Sequence, residues 1–166
     1  MKRSLAIFLI FAMLLTLTAC QQQPEELRST VTVYYKASDI QYGSAEGVII
    51  PCALDATGHE SDTVYLLDAY FSNILTEAYA ITFPRSTRVV SLNLDGLTAK
   101  IVLNDEFASL TGLNLSIACA CLTQTLIELT GCHEVIISAE GSQLDGNNFI
   151  TLSKDSYLLL DESGTD

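Results

Sequence analysis

The sequence predicts an α+β fold in which one mostly antiparallel sheet carries two helices on one face. Two strand-like runs flank Asp95-Gly96 within residues 87–104, and this dipeptide is a signal for a tight hairpin. Helical periodicity occurs in two further stretches, residues 61–79 and 113–130. The predicted core order is therefore strand, helix, strand, strand, helix, strand, with additional edge strands.

Residues 1–19 have the layout of a secretory signal peptide. Lys2 and Arg3 precede an apolar run that ends in small residues just before Cys20. The run is short for a membrane-spanning helix, which needs about 20 residues, although an uncleaved anchor stays open. Leu17-Thr18-Ala19-Cys20 resembles the lipobox of bacterial lipoproteins. The resemblance implies lipidation of Cys20 and anchoring on the outer, extracytoplasmic side of the cell membrane.

The charge of the chain argues against a nucleic-acid partner. Residues 1–19 hold no acid, so the remaining residues carry 6 of the 8 Lys and Arg and all 20 Asp and Glu, a formal charge of −14. Phosphate backbones and anionic lipid headgroups repel such a surface. Solubility alone accounts for the acidic character.

The first half of the domain begins after a polar tether, residues 20–29. Alternating apolar residues predict a strand over Thr30–Lys36, and a second strand is expected over Gly47–Pro51. Ser61 or Asp62 is the expected cap of a helix that runs to about Tyr79. Its predicted buried stripe is Val64, Leu67, Phe71, Ile74, Leu75 and Ala78.

The central hairpin has a register that follows from its turn. Folding at Asp95-Gly96 places Leu94 opposite Leu97, Leu92 opposite Ala99 and Val90 opposite Ile101. These residues and Leu103 are expected on one buried face, with Val89 opposite Val102 as an apolar exception on the wet face. A slip by one residue exchanges the two faces, so the pattern specifies the register.

A second helix is expected over Leu113–Thr130 and ends at Gly131. Its predicted stripe is Leu115, Ala118, Cys119, Leu122, Leu126 and Leu129. Val135–Ala139 predicts a short buried strand, and Phe149–Leu152 an edge strand. The domain is expected over residues 30–152, followed by an acidic tail over residues 153–166.

Two segments resemble a known family. They are Phe83-Pro84-Arg85-Ser86-Thr87 with the hairpin up to Phe107, and the helix-to-strand segment 124–137. Both resemble the GerMN domain, a module of bacterial envelope lipoproteins named for sporulation and spore germination. The resemblance implies an interaction or assembly module without recognised catalytic residues, whose partners are envelope or sporulation-complex proteins. The chain departs from the family at the end of its first helix.

The cysteines do not have the spacing of a metal site. Helical residues two apart point in opposing directions, so Cys119 and Cys121 cannot hold one ion on an intact helix. Cys132 and His133 are adjacent, without the spacing of a paired-cysteine zinc site. We therefore expect no metal and no cofactor. A disulfide is possible outside the membrane, with Cys121 and Cys132 the least implausible pair, but the sequence does not predict one; Cys52 is the remaining thiol.

The sequence contains no recognisable catalytic motif. His59 and His133 have no neighbouring motif, and the paired acids Asp105-Glu106 and Asp161-Glu162 have the pattern of solvent-facing loops. We expect no catalytic residues.

The predicted function is a non-catalytic interaction or assembly module. Edge strands can add to another sheet, and tyrosines suit interfaces: Tyr34, Tyr35, Tyr42, Tyr65, Tyr70 and Tyr79. Two alternatives stay open: a peptidoglycan-associated enzyme or regulator of the cell envelope, and a lipoprotein that binds a small solute or a metal. Peptidoglycan is a further possible partner.

Overall fold

The computed structural model describes residues 28–38, 48–72, 80–154 and 156. Within them the chain forms an α+β fold with two helices and two sheets. The strands are β1 (Thr30–Lys36), β2 (Ile49–Asp55), β3 (Val89–Asp95), β4 (Thr98–Leu103), β5 (Glu134–Ala139) and β6 (Ile150–Ser153). The helices are α1 (Thr63–Ser72) and α2 (Gly112–Thr130), and a 3₁₀ helix spans Asp105–Ser109. The predicted α+β class is confirmed, but the described strands divide into two sheets rather than one.

β1 and β2 form an antiparallel two-stranded sheet. The bounds of β1 agree with the prediction, and Val33 and Tyr35 are buried as its alternation requires. β2 was predicted to end at Pro51, yet it continues to Asp55. The strand tolerates Pro51 because this residue lacks only an N–H on the edge that faces away from β1.

The larger sheet has the order β3-β4-β5-β6. β3 and β6 pair antiparallel with their neighbours, whereas β4 and β5 are parallel. β4 and β5 are parallel because the connection between them contains α2, which returns the chain to the end of the sheet where β4 begins. One face of the sheet buries Ala99, Ile101, Leu103, Val135 and Ile137. The opposite face is lined mainly by polar side chains, as predicted for a sheet with one wet face.

The predicted register of the hairpin was wrong. Asp95 pairs with Thr98 and Leu94 with Ala99, so the two turn residues are Gly96 and Leu97. Gly96 has φ 61°, and Leu97 does not have a positive φ. A turn with a positive φ only at its first central residue is the type II′ pattern, whereas the predicted type I′ turn needs two. Asp95 thus stays in the strand.

A β-bulge at Val90 explains the apolar exception in the predicted pattern. Val89 pairs with Leu103 and Ser91 with Val102, so Val90 is the extra residue between them. The bulge moves Val89 onto the face of Leu103 and leaves Val102 opposite a serine. Val90 was predicted to be buried but is 42% exposed.

α2 is the central element of the core and contacts β1, β5 and β6. Gly131 ends it in the left-handed conformation, with its N–H donating to the Ile127 carbonyl at 2.8 Å. The predicted stripe is buried except for half-buried Leu129. Burial extends further round the helix, to Ile117, Ala120, Cys121, Thr123 and Thr125. By length and hydropathy α2 could cross a membrane, but a core helix packed against two sheets has the same composition.

α1 lies against β3. Asp62 caps it, because its Oδ1 accepts the Tyr65 N–H at 3.0 Å. The helix buries Leu66, Leu67 and Tyr70, whereas Val64, predicted for the buried stripe, is exposed. The predicted extension to Tyr79, with Ile74, Leu75 and Ala78, lies outside the described residues.

Candidate interaction surface

The outer edge of β1 is partly closed by side chains. The Tyr34 N–H donates to the Thr125 hydroxyl at 3.0 Å, and the Tyr70 hydroxyl donates to the Tyr34 carbonyl. The Lys36 N–H donates to the Thr82 hydroxyl at 2.9 Å. The outward backbone groups of Tyr34 and Lys36 are thus already bonded, which disfavours strand addition along this half of β1.

The outer edge of β2 is weakened by Pro51. The strand pairs with β1 through its even-numbered residues, so the odd-numbered ones direct their backbone groups outward. Pro51 occupies the middle of the outward row and has no N–H. A proline at this position interrupts any ladder that a partner strand would form.

The outer edge of β3 is open over most of its length. At its start, the Val89 N–H donates to the Asp68 carboxylate of α1 at 3.3 Å. Further along, Asn93 and Asp95 pair with β4, so Leu92 and Leu94 direct their backbone groups outward. Among the described residues, no partner accepts or donates to these groups. With respect to the described part of the chain, this stretch of β3 is a template for another strand.

Exposed apolar side chains accompany that edge. Leu94 is 50% exposed and Leu97 is 56% exposed, and both were predicted to lie on the buried face. With Val90 they form what we call the β3 edge, residues Val90 to Leu94 and the turn residue Leu97. Leu97 leaves the strand pattern because it is a turn residue, whereas Leu94 stays on its predicted face, opposite buried Ala99, and is exposed at the margin of the sheet.

The turn of the hairpin is held in place. The backbone N–H groups of His133 and Glu134 both donate to the Leu97 carbonyl, at 2.7 and 3.2 Å. Lys100 Nζ forms an ion pair with Asp95 at 3.1 Å on the exposed surface. The exposed leucine of the turn is thus presented by a backbone anchored to β5.

The tyrosines predicted to suit an interface differ in their burial. Tyr35 and Tyr70 are buried, with ring centroids 4.8 Å apart, and belong to the core. Tyr65 is exposed and stacks on His59 with centroids 3.6 Å apart. Tyr34 is half-buried and its hydroxyl donates to Glu128 at 3.3 Å, and burial with the nearby carboxylate raises its pKa. Tyr42 and Tyr79 lie outside the described residues.

The four described cysteines are free thiols. Cys119, Cys121 and Cys132 are buried, and Cys52 is half-buried. Burial raises the pKa of Cys119 to about 12 and raises that of Cys121 further still. A thiol with a raised pKa is protonated at neutral pH, which disfavours nucleophilic and metal-binding roles. Cys20 lies outside the described residues.

The remaining polar candidates are dispersed. Asp105 and Glu106 are exposed in the first turn of the 3₁₀ helix, and His133 is exposed at the start of β5. Within the described ranges, no three His, Cys, Asp or Glu side chains come together as a set of metal ligands. Asp161 and Glu162 lie outside those ranges.

Comparison with known proteins identifies the fold. Neither a protein-family model nor a curated protein matches the chain. Among solved structures, the chain is similar to the first GerMN domain of the sporulation protein GerM from Bacillus subtilis, with a TM-score of 0.57 and 16% identity over 81% of this chain and 98% of that one. A second structure, "Putative Lipoprotein from Clostridium perfringens", has a TM-score of 0.48 and 13% identity over 76% and 88% of the two chains. The chain has a GerMN-like fold.

Proposed function

We propose that this protein is a non-catalytic interaction module anchored through lipidated Cys20 on the extracytoplasmic side of the membrane, where it acts in sporulation or spore germination. Its partner is an envelope protein of such a complex. The partner adds an extended segment to the β3 edge. The open backbone of Leu92 and Leu94, flanked by exposed apolar side chains, is the observation that carries this proposal.

The fold and the sequence support the biological setting. GerM, whose first GerMN domain shares this fold, is a sporulation protein. The basic start, the apolar run and Cys20 follow the pattern of a lipoprotein precursor. Exposed apolar surface beside an open strand edge is suited to a partner that supplies both backbone hydrogen bonds and alternate side chains.

The test is site-specific photo-crosslinking in cells. A photoreactive amino acid is placed at Leu94 and, as a matched control, at Thr151, which is exposed on the opposite edge strand β6. We expect a specific envelope partner at Leu94 in sporulating cells and none at Thr151. Cys20→Ala should abolish incorporation of labelled fatty acid and weaken capture.

Several outcomes oppose the proposal. Equal capture at both positions would show that the β3 edge is not selective. Capture in growing cells alone would remove the sporulation role. Wall cleavage by the purified protein, lost in a single acidic substitution, would replace the non-catalytic assignment with an enzymatic one.

A further inference from the structure

A cleft of about 180 Å³ opens where the end of β1 meets the beginning of α2. Five apolar residues line it: Ile81, Phe83, Pro84, Leu110 and Ile117. Three polar residues complete the lining: Lys36, Thr82 and Asn114. Its walls come from four separate segments, which is why no local sequence pattern indicates it.

The polar groups of the cleft differ in how many of their hydrogen bonds are already made. Thr82 is buried, and its hydroxyl already accepts the Lys36 N–H and donates to the Ala80 carbonyl at 3.2 Å. Lys36 Nζ, by contrast, donates to a single group of the described residues, the neutral Asn114 Oδ1, at 3.3 Å. An ammonium group has three donors. The ammonium of Lys36 and the amide of Asn114 therefore remain for a ligand.

Among the described residues, Lys36 has no acidic side chain as an ion-pair partner. In the part of the chain that the structure describes, the one ion pair joins Lys100 to Asp95. In that part every Lys and Arg except Lys100 lacks an ion pair, and Lys36 is the one of them that lines the cleft. An anionic group placed at the rim of the cleft would satisfy it.

The size of the cleft limits what enters it. Sites for drug-sized ligands enclose roughly 300–1,000 Å³, and a dry cavity of about 150 Å³ holds a single benzene ring. The cleft therefore accommodates one branched or aromatic side chain. Ile81, which forms part of its wall, is 58% exposed, so apolar surface extends to the rim.

We propose that this cleft binds a carboxylic acid whose single apolar group fills the pocket while its carboxylate bonds to Lys36 Nζ and the Asn114 amide. Both a free short-chain acid and the C-terminal residue of a peptide have this chemistry. The site lies outside the β3 edge, and the inference does not rest on the proposed function.

The test is saturation-transfer difference NMR on the full chain in detergent, with protein-free micelles as the blank. N-acetyl-leucine should bind with a Kd of roughly 1 mM, as expected for so small a ligand. N-acetyl-leucinamide, which lacks the carboxylate, should bind at least about tenfold more weakly, since it loses the charged hydrogen bond. Lys36→Met should weaken binding of the acid by a similar factor and leave binding of the amide unchanged.

Lys100→Met is the matched control, since it removes the same charge from the exposed face of β4 and should leave binding unchanged. Ile81 is an exposed residue of the cleft wall, so Ile81→Ser should retain the fold. It should also weaken binding of the acid. Equal binding of acid and amide, or full binding by Lys36→Met, would overturn the proposal. So would a lack of saturation transfer from the acid at about 20 mM, well above the expected Kd.

Two further ligands identify the source of the acid. Tighter binding of N-acetyl-Ala-Ala-Leu than of 4-methylpentanoate supports a peptide C-terminus as the ligand. Equal or tighter binding of 4-methylpentanoate supports a free acid. Either result is consistent with recognition of a carboxylate beside one apolar group.

Discussion

The backbone N–H of Tyr34 donates to the hydroxyl of Thr125 at 3.0 Å, which joins the outer edge of β1 to α2. A strand edge that would otherwise invite pairing is thus partly closed by a helix from within the same domain. Because α2 also contacts β5 and β6, this bond helps to fix one sheet relative to the other. The β1 edge is therefore a poorer place for strand addition than the β3 edge, where our proposal puts the partner.

We expect Thr125→Val to destabilise the domain by about 1–3 kcal/mol. The isosteric change removes the hydroxyl and leaves the Tyr34 N–H without its acceptor, which carries a desolvation penalty of that size. Thr123→Val is the matched control, because Thr123 is equally buried and its hydroxyl has no hydrogen-bond partner among the described residues. That substitution should be neutral or stabilising. Urea unfolding of both variants checks the difference, and equal losses would contradict the assigned bond.

We expect Asp62→Ala to cost about 1 kcal/mol and Ser61→Ala almost nothing. The sequence left both residues open as the cap of α1, and the Asp62 carboxylate is the one that accepts the Tyr65 N–H. Both residues are exposed, so neither substitution removes buried contacts and the difference between them measures the capping hydrogen bond. Urea unfolding measures it. A larger loss in Ser61→Ala would place the beginning of the helix one residue earlier.

The sequence predicted the individual helices and strands better than the pairing and packing between them. β1 and the end of α2 were correct because clean alternation and Gly131 are local signals. The predicted hairpin register was wrong because Asp95-Gly96 and Gly96-Leu97 both satisfy a two-residue turn, and the bulge at Val90 offsets only one residue of the resulting two-residue shift. The division into two sheets and the Lys36 cleft depend on contacts between distant segments, and no local pattern encodes these.

We expect stability to fall as pH rises above about 9, since burial raises the pKa of Cys119 from 9.0 to about 12. The folded state keeps a proton that the unfolded chain releases above pH 9. The stabilisation is therefore complete below that pH and is lost as pH rises through about 12. One such group contributes about 1.4 kcal/mol per pH unit within this window. Raised pKa values of Cys121 and Tyr70 act in the same direction.

Urea unfolding at several alkaline pH values checks this expectation. Cys119→Ala should make the free energy of unfolding fall less steeply with pH, by the contribution of one proton, about 1.4 kcal/mol per pH unit. Leu126→Ala, at another buried position of α2, should lower stability at every pH with the slope unchanged. An unchanged slope in Cys119→Ala would show that this thiol does not control the alkaline loss.

We expect Leu94→Lys to remove partner capture without weakening the fold. Leu94 is half exposed, so the change in unfolding free energy should stay within about 0.5 kcal/mol. A lysine on an edge strand disfavours pairing with another strand because its charge must be desolvated. Thr151→Lys adds the same charge on β6 and should leave capture intact. The measurement is the yield of crosslinked partner from sporulating cells, with urea unfolding of each variant. Retained capture by Leu94→Lys, or its loss in Thr151→Lys, would move the interface from the β3 edge to the opposite side of the sheet.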